Sequence, residues 1–142
     1  MKVRLERRYR FSASHLYRRP DWSEAENRAR FGKCANLPGH GHNYRLFVTV
    51  RGEVDPSTGF IIDLGALDTL VQTKVVERLD HQHLNFALPE FGEGEQVPSS
   101  ENLLVWIRRE IESSLEGVGS AELVKLRLEE DEDLAGEWLA GE

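Results

Sequence analysis

Apolar and polar residues alternate over VRLERRYRF at 3–11, where Val3, Leu5, Tyr9 and Phe11 share one side, interrupted by Arg7. A period of two marks a strand with one buried face. Alternation resumes after His42 in NYRLFVTVRGEV, with Tyr44, Leu46, Val48 and Val50 in phase. The turn signal DPSTG at 55–59 then leads into the short apolar run FII at 60–62, which predicts a hairpin. Between the first two strands, YRRPDWSEAENRARFGK is polar and rich in turn formers, a loop with room for a helical turn.

The period changes at Asp63, a suitable helix N-cap, after which Leu64, Leu67, Val71, Val75 and Leu79 recur at helical spacing. This helix ends near LDHQHLN. A loop rich in Gly and Glu, PEFGEGEQVP, precedes a second start signal at Ser99-Ser100. Leu103, Leu104, Ile107, Ile111 and Leu115 then form a second stripe. In ELVKLRLEE the residues Val124, Leu126 and Leu128 alternate cleanly, while Leu123 stands outside the pattern. The order predicts an α+β fold: a four-stranded antiparallel sheet with two helices on one face. Its edges need a cover that oligomerisation can supply. No repeat, low-complexity block or long linker divides residues 1–142, so they are read as one domain.

Composition narrows the function. At 39% hydrophobic and 30% charged residues the chain has the balance of a globular protein rather than a disordered one. A net charge of −7 argues against a general nucleic-acid binder, which needs a broad basic surface. The single cysteine excludes an internal disulfide. No apolar run approaches the roughly 18 residues of a membrane helix, and no signal segment is evident, so the expectation is a cytoplasmic protein without a membrane partner.

Candidate chemistry is concentrated in CANLPGHGHNY at 34–44. His40 and His42 lie two apart, so on an extended segment both imidazoles reach one point. His15, in FSASH at the end of the first strand, can join them through strand pairing. Three neutral imidazoles without an evident fourth ligand describe a zinc site with an open position, suited to Lewis-acid chemistry. If Cys34 is a fourth ligand the site is closed and structural, and spacing leaves both readings open. A thiol beside a bound cation and a histidine can also act as base or nucleophile. Asp80-His81 places a carboxylate next to an imidazole, a pairing used in acid-base catalysis, although Asp80 also suits a turn. His83 reads as surface. Glu101 in the first turn of the second helix suits the helix dipole, and Glu130 leads an acidic strand end.

These residues and their surroundings resemble the 6-pyruvoyltetrahydropterin synthase family, including the 6-carboxytetrahydropterin synthases, over nearly the whole chain. FSASH, FGKCANLPGHGHNY, GEVDPSTGFIIDLGAL, LDHQHLN, SSENLLVWI and a terminal strand ending in Glu occur in the family's order. The resemblance implies that His15, His40 and His42 bind zinc, that Cys34 is catalytic, and that Asp80 and His81 complete its proton relay. It also implies that Glu130 anchors a pterin ring and that Ser99, Ser100 and Glu101 line the pterin pocket. The implied substrate is 7,8-dihydroneopterin triphosphate, converted to 6-pyruvoyl-tetrahydropterin by loss of triphosphate and internal redox rearrangement, without a nicotinamide.

The five residues between Cys34 and His40 match the pyruvoyl-forming enzymes, while the 6-carboxy enzymes of queuosine synthesis remain the alternative. A non-catalytic zinc- or pterin-binding domain is an alternative of another class. The family's tunnelling fold implies a trimer that closes a barrel of strands and a hexamer of two such trimers. Arg18, Arg19, Arg28, Arg30 and Lys33 flank the metal segment as possible attractors of triphosphate.

Overall fold

The computed structural model describes residues 1–142. Strand β1 (Lys2–His15) and strand β2 (His40–Glu53) pair antiparallel over their full 14 residues, in a register that sets Lys2 opposite Glu53 and His15 opposite His40. Strand β3 (Gln82–His83) adds in parallel to the outer edge of β1. On the other side β4 (Glu122–Glu129) pairs with β2 and β5 (Ala135–Leu139) pairs with β4, giving the order β3-β1-β2-β4-β5.

The α+β class stands, but the predicted four-stranded antiparallel sheet becomes a five-stranded mixed one. FII at 60–62 is not a strand. DPSTG does turn, with the Asp55 carboxylate accepting the Ser57 and Thr58 N–H groups. However, both edges of β2 are already taken, by β1 and β4, so a hairpin partner has no place to bind. Ile62 is buried without pairing, and Phe60 is exposed.

Helices pack on one face of the sheet. Helix α1 (Glu24–Phe31) occupies the segment predicted as a loop with room for a helical turn, its start fixed by Ser23 Oγ accepting the Glu26 N–H at 3.1 Å. It shows no apolar stripe because Asn27 is its one buried residue. The Asn27 side chain ties the loop together, accepting from the Arg19 N–H and donating to the Arg19, Trp22 and Ser23 carbonyls. Helix α2 (Leu64–Val71) starts at Asp63 as predicted and continues through a π turn (Gln72–Val76) into α3 (Glu77–Leu79). One short helical turn, α4 (Leu84–Ala87), follows β3, and α5 (Ser100–Leu115) is the second predicted helix.

The core lies between the sheet and α2, α3 and α5. Tyr44, Leu46, Val48 and Val50 of β2 meet Leu67, Val71, Val75 and Leu79, and the five stripe residues of α5 are all buried. Complete burial of each such aliphatic side chain contributes about 1.5–3 kcal/mol. Leu64 departs from its predicted stripe and is exposed. Arg7, on the apolar side of β1, is neutralised by the Asp68 carboxylate of α2, which also accepts from Tyr9 Oη at 2.8 Å. Leu123 breaks the alternation because the register shifts at Thr49/Val50: Thr49 faces Lys125 and Val50 faces Leu123. Val124 is thereby bulged, and both Leu123 and Val124 are buried.

Candidate functional site

The register of β1 against β2 builds the site. His15 and His40 are a directly opposed pair on the helix-bearing face, and His42 lies two residues further along β2 on that same face. Their rings form a near-equilateral triangle, with centroids 4.9 Å apart for His15–His40, 5.0 Å for His15–His42 and 4.9 Å for His40–His42. The predicted convergence of the three imidazoles is thus present in the fold.

His15 is fully buried. Its Nδ1 is 3.0 Å from Tyr44 Oη, and its Nε2 has no hydrogen-bond partner. Buried polar atoms are rarely left unpaired, and an imidazole fixed through one nitrogen presents the other to a cation. Burial, then the nearby His42 and His40, push the His15 pKa down to about 3, so its lone pair is available at neutral pH. Two ligand sets meet at His15: His15, Cys34 and His40 form one, and His15, His42 and Glu130 the other. Donor atoms within each set lie within 4.8 Å of one another. This nitrogen, sulfur and carboxylate set fits a transition-series divalent ion.

Cys34 sits on a 3-10 turn (Gly32–Ala35), with Sγ 3.9 Å from His40 Nε2. In the metal-free chain, burial and the Glu130 charge push its thiol pKa up. A bound cation acts in the opposite direction. Glu130 is buried just beyond β4, with Oε1 3.5 Å from His15 Nε2 and 3.4 Å from His42 Nε2. Ser100 Oγ donates to its other oxygen at 3.4 Å, so the carboxylate lies against the start of α5, where the helix dipole favours negative charge. Ser99 caps that helix by accepting the Asn102 N–H at 3.2 Å.

Cys34, His40, His42, Ser99, Ser100, Glu101 and Glu130 all line one cavity of about 650 Å³. Its size suits a bicyclic ring with a short chain. Of the flanking cations only Arg30 lines it. Arg18 is engaged by Glu24 and the Ala35 carbonyl, and Arg19 by Asp21 and the Glu95 carbonyl.

Asp80 and His81 lie elsewhere, on the opposite face of β1. Asp80 Oδ1 accepts the Ser12 N–H at 2.8 Å, and Oδ2 is 3.0 Å from His81 Nδ1. The Ser12 contact first, with His81 assisting, holds the Asp80 pKa below the usual carboxylate range. An ionised Asp80 therefore orients the imidazole and leaves His81 Nε2 facing outward. His81 also adopts φ 59°, a left-handed conformation costly for a non-glycine residue, fixed by its N–H bond to the Ser12 carbonyl. Such strain is concentrated at functional positions.

Three further side chains that the sequence does not assign to the site also shape it. Tyr17 packs against the His15 ring at 4.5 Å and lines the cavity, and Tyr44 orients His15. His83 is not a free surface residue. Its Nε2 donates to the Pro38 carbonyl at 3.0 Å and thereby anchors the loop that carries Cys34 toward His40. The alternation of β2 marks Tyr44 as buried, but its hydroxyl contact depends on the cross-strand register.

Gly39 makes this loop possible. Its φ is 113°, and a Cβ there would run into the His15 carbonyl oxygen and approach His83 Nε2. Gly39→Ala is expected to cost about 1–3 kcal/mol and to weaken metal binding by displacing His15. Gly32→Ala, at φ 58° and so also strained but with nothing within 4 Å of its Cβ, should lose stability yet retain metal affinity. Metal titration followed by the metal-dependent rise in Tm distinguishes the two variants.

Comparison with known proteins places these features in context. The family model described as 6-pyruvoyl tetrahydropterin synthase matches residues 4–138. The 6-pyruvoyl tetrahydrobiopterin synthase of Homo sapiens is 41% identical over 106 residues, covering 75% of this chain and 72% of its own. A dihydroneopterin monophosphate aldolase of Pyrococcus furiosus is 31% identical over 117 residues, 82% of each chain. The structure of Caenorhabditis elegans 6-pyruvoyl tetrahydropterin synthase superposes with a TM-score of 0.87 at 34% identity, covering 99% of this chain and 97% of that one.

Proposed function

Because the chain belongs to the 6-pyruvoyl tetrahydropterin synthase family, a family of lyases, we propose that it converts 7,8-dihydroneopterin triphosphate to 6-pyruvoyl-tetrahydropterin with loss of triphosphate. The observation that carries this reading is the single cavity onto which Cys34, His40, His42 and Glu130 open, with His15 buried behind them. Zinc is the proposed ion, held by His15, His40 and His42. When bound, it polarises the side-chain hydroxyls of the substrate.

The chain's own groups account for the other requirements. Glu130 accepts two parallel hydrogen bonds from the pterin ring N–H and its exocyclic amine, which fixes the ring in the cavity. Ser100 and the start of α5 orient that carboxylate, while Ser99 and Glu101 line the same wall. Cys34 removes a proton at the side-chain carbon that faces it. His81, oriented by Asp80, serves as the second proton carrier. Its position outside the Cys34 cavity supports an assembly in which a neighbouring copy supplies it. The open sheet edges at β3 and β5 are consistent with the trimer and hexamer expected from the family.

Mass spectrometry of the pterins formed by the zinc-loaded protein from 7,8-dihydroneopterin triphosphate tests the assignment. A pyruvoyl-tetrahydropterin is expected. A carboxy-tetrahydropterin with acetaldehyde would move the chain to the queuosine branch, and a cleaved side chain without reduction of the ring would move it to aldolase chemistry. Unchanged substrate would overturn the proposal.

A further inference from the structure

On the sheet face away from the helices, β1 and β2 set two pairs of arginines directly opposite one another: Arg4 with Arg51, and Arg10 with Arg45. Opposed like charges on neighbouring strands cost stability. In the first pair Arg51 Nη2 lies 2.9 Å from Glu122 Oε2, while Arg4 has no carboxylate within ion-pair distance. In the second pair the one carboxylate within ion-pair distance is Glu129, 3.9 Å from Arg45 Nη1, and Arg10 has none.

Both side chains are exposed and line a cavity of about 430 Å³ together with Ser12, Asn43 and Asp80. Ser12 and Asn43 continue into an adjoining cavity of about 410 Å³ whose wall includes His81. Asp80, the one carboxylate lining either cavity, is already engaged by the Ser12 N–H and His81. Asn43 Oδ1 accepts from Ser12 Oγ at 2.7 Å, which leaves the Asn43 amide N–H groups free to donate. Cationic forks and neutral donors therefore face one space, while Arg45 and Asn43 also border a second cavity, walled by Glu129, Glu130, Asp131 and Glu132, on the other side.

We propose that Arg10 and Arg45 form a binding site for an oligophosphate anion, next to His81 and separate from the Cys34 cavity. Guanidinium forks match phosphate oxygens two at a time. Two forks on opposed residues, about 5 Å apart at their Cβ atoms, can hold successive phosphoryl groups of one chain. The anion is either the tail of a substrate shared with a neighbouring copy, which rests on the function proposed above, or a free oligophosphate, which does not.

Calorimetric titration of the full-length, zinc-loaded protein with inorganic triphosphate at low salt tests the site. Arg10→Gln and Arg45→Gln are each expected to weaken binding roughly tenfold or more, while Arg4→Gln retains it. No binding by the native protein, unchanged affinity in both pair variants, or an equal loss in Arg4→Gln would overturn the proposal. Kinetics with 7,8-dihydroneopterin triphosphate then separate the sources. A substrate tail raises KM in Arg10→Gln, and a free anion shows as loss of inhibition by added triphosphate. A native protein that binds triphosphate at the pair but leaves the pterin unchanged supports this site while refuting the function proposed above.

Discussion

Replacing Cys34 with alanine is expected to lower turnover by roughly 10²–10⁴-fold, the range contributed by a positioned acid-base group, while metal content and fold are unchanged. The expectation follows from where the thiol lies. Its turn carries no core side chain except Ala35, so truncation at Cys34 costs little packing. Its sulfur faces the cavity 3.9 Å from His40 Nε2, close enough to act on whatever the histidines hold. Without a cation the thiol stays protonated at neutral pH, since burial and Glu130 both oppose the thiolate. Alkylation by iodoacetamide should accordingly slow when the metal is removed and recover when it is restored. Loss of bound metal in Cys34→Ala would instead make Cys34 a ligand, and unchanged turnover would remove it from the mechanism.

The second large effect is expected at His42. His42→Ala removes one corner of the imidazole triangle and should reduce metal affinity and turnover by orders of magnitude, as read by metal analysis and by the loss of any metal-dependent rise in Tm. The metal-free native chain should also be acid-sensitive, in a direction fixed by His15. Its pKa falls to about 3 in the folded state, against an ordinary value of 6.5. The unfolded chain therefore binds a proton that the folded chain refuses, and stability falls as pH drops from 6.5 toward 3. The limiting slope is about 1.4 kcal/mol per pH unit for one proton. Denaturation midpoints of metal-free protein at pH 7.5 and pH 5 check the sign, and a higher midpoint at pH 5 would contradict it.

The parts of the fold that could be read from the sequence are those in which periodicity and burial coincide. β1, β2 and β4 alternate because one face packs on helices, and α5 carries a five-residue stripe that is entirely buried. β5 was hidden because Gly136 interrupts its pattern. A Cβ at Gly136 would lie 2.9 Å from Cδ1 of Leu104 in α5, so the leucine would have to shift to admit a side chain there. α1 was hidden because it is held by Asn27 rather than by apolar contacts, and β3 is only two residues long. FII forms no strand because a local turn signal says nothing about which strand edges are still free, and both edges of β2 are taken.

Spacing placed His40 and His42 on one face, and the end of a strand offered His15. The opposed pairing of His15 with His40 depends on a register that neither segment encodes alone. Asp80 and His81 read as a pair, and they are one. Their separation from the Cys34 cavity arises from the parallel addition of β3 on the far edge of β1, a long-range event without a local signature.

The opposition of His15 and His40 across β1 and β2 has a bearing on how the chain folds. Twenty-four residues separate the two, and a slip of a single position between the strands would turn one imidazole toward the other side of the sheet. Only correctly aligned strands offer the ion its full set of donors, so the ion lowers the free energy of one alignment and of no other. A divalent ion present during synthesis would then act as a proofreader of strand pairing, increasing the yield of properly aligned chains before any of them meets a substrate.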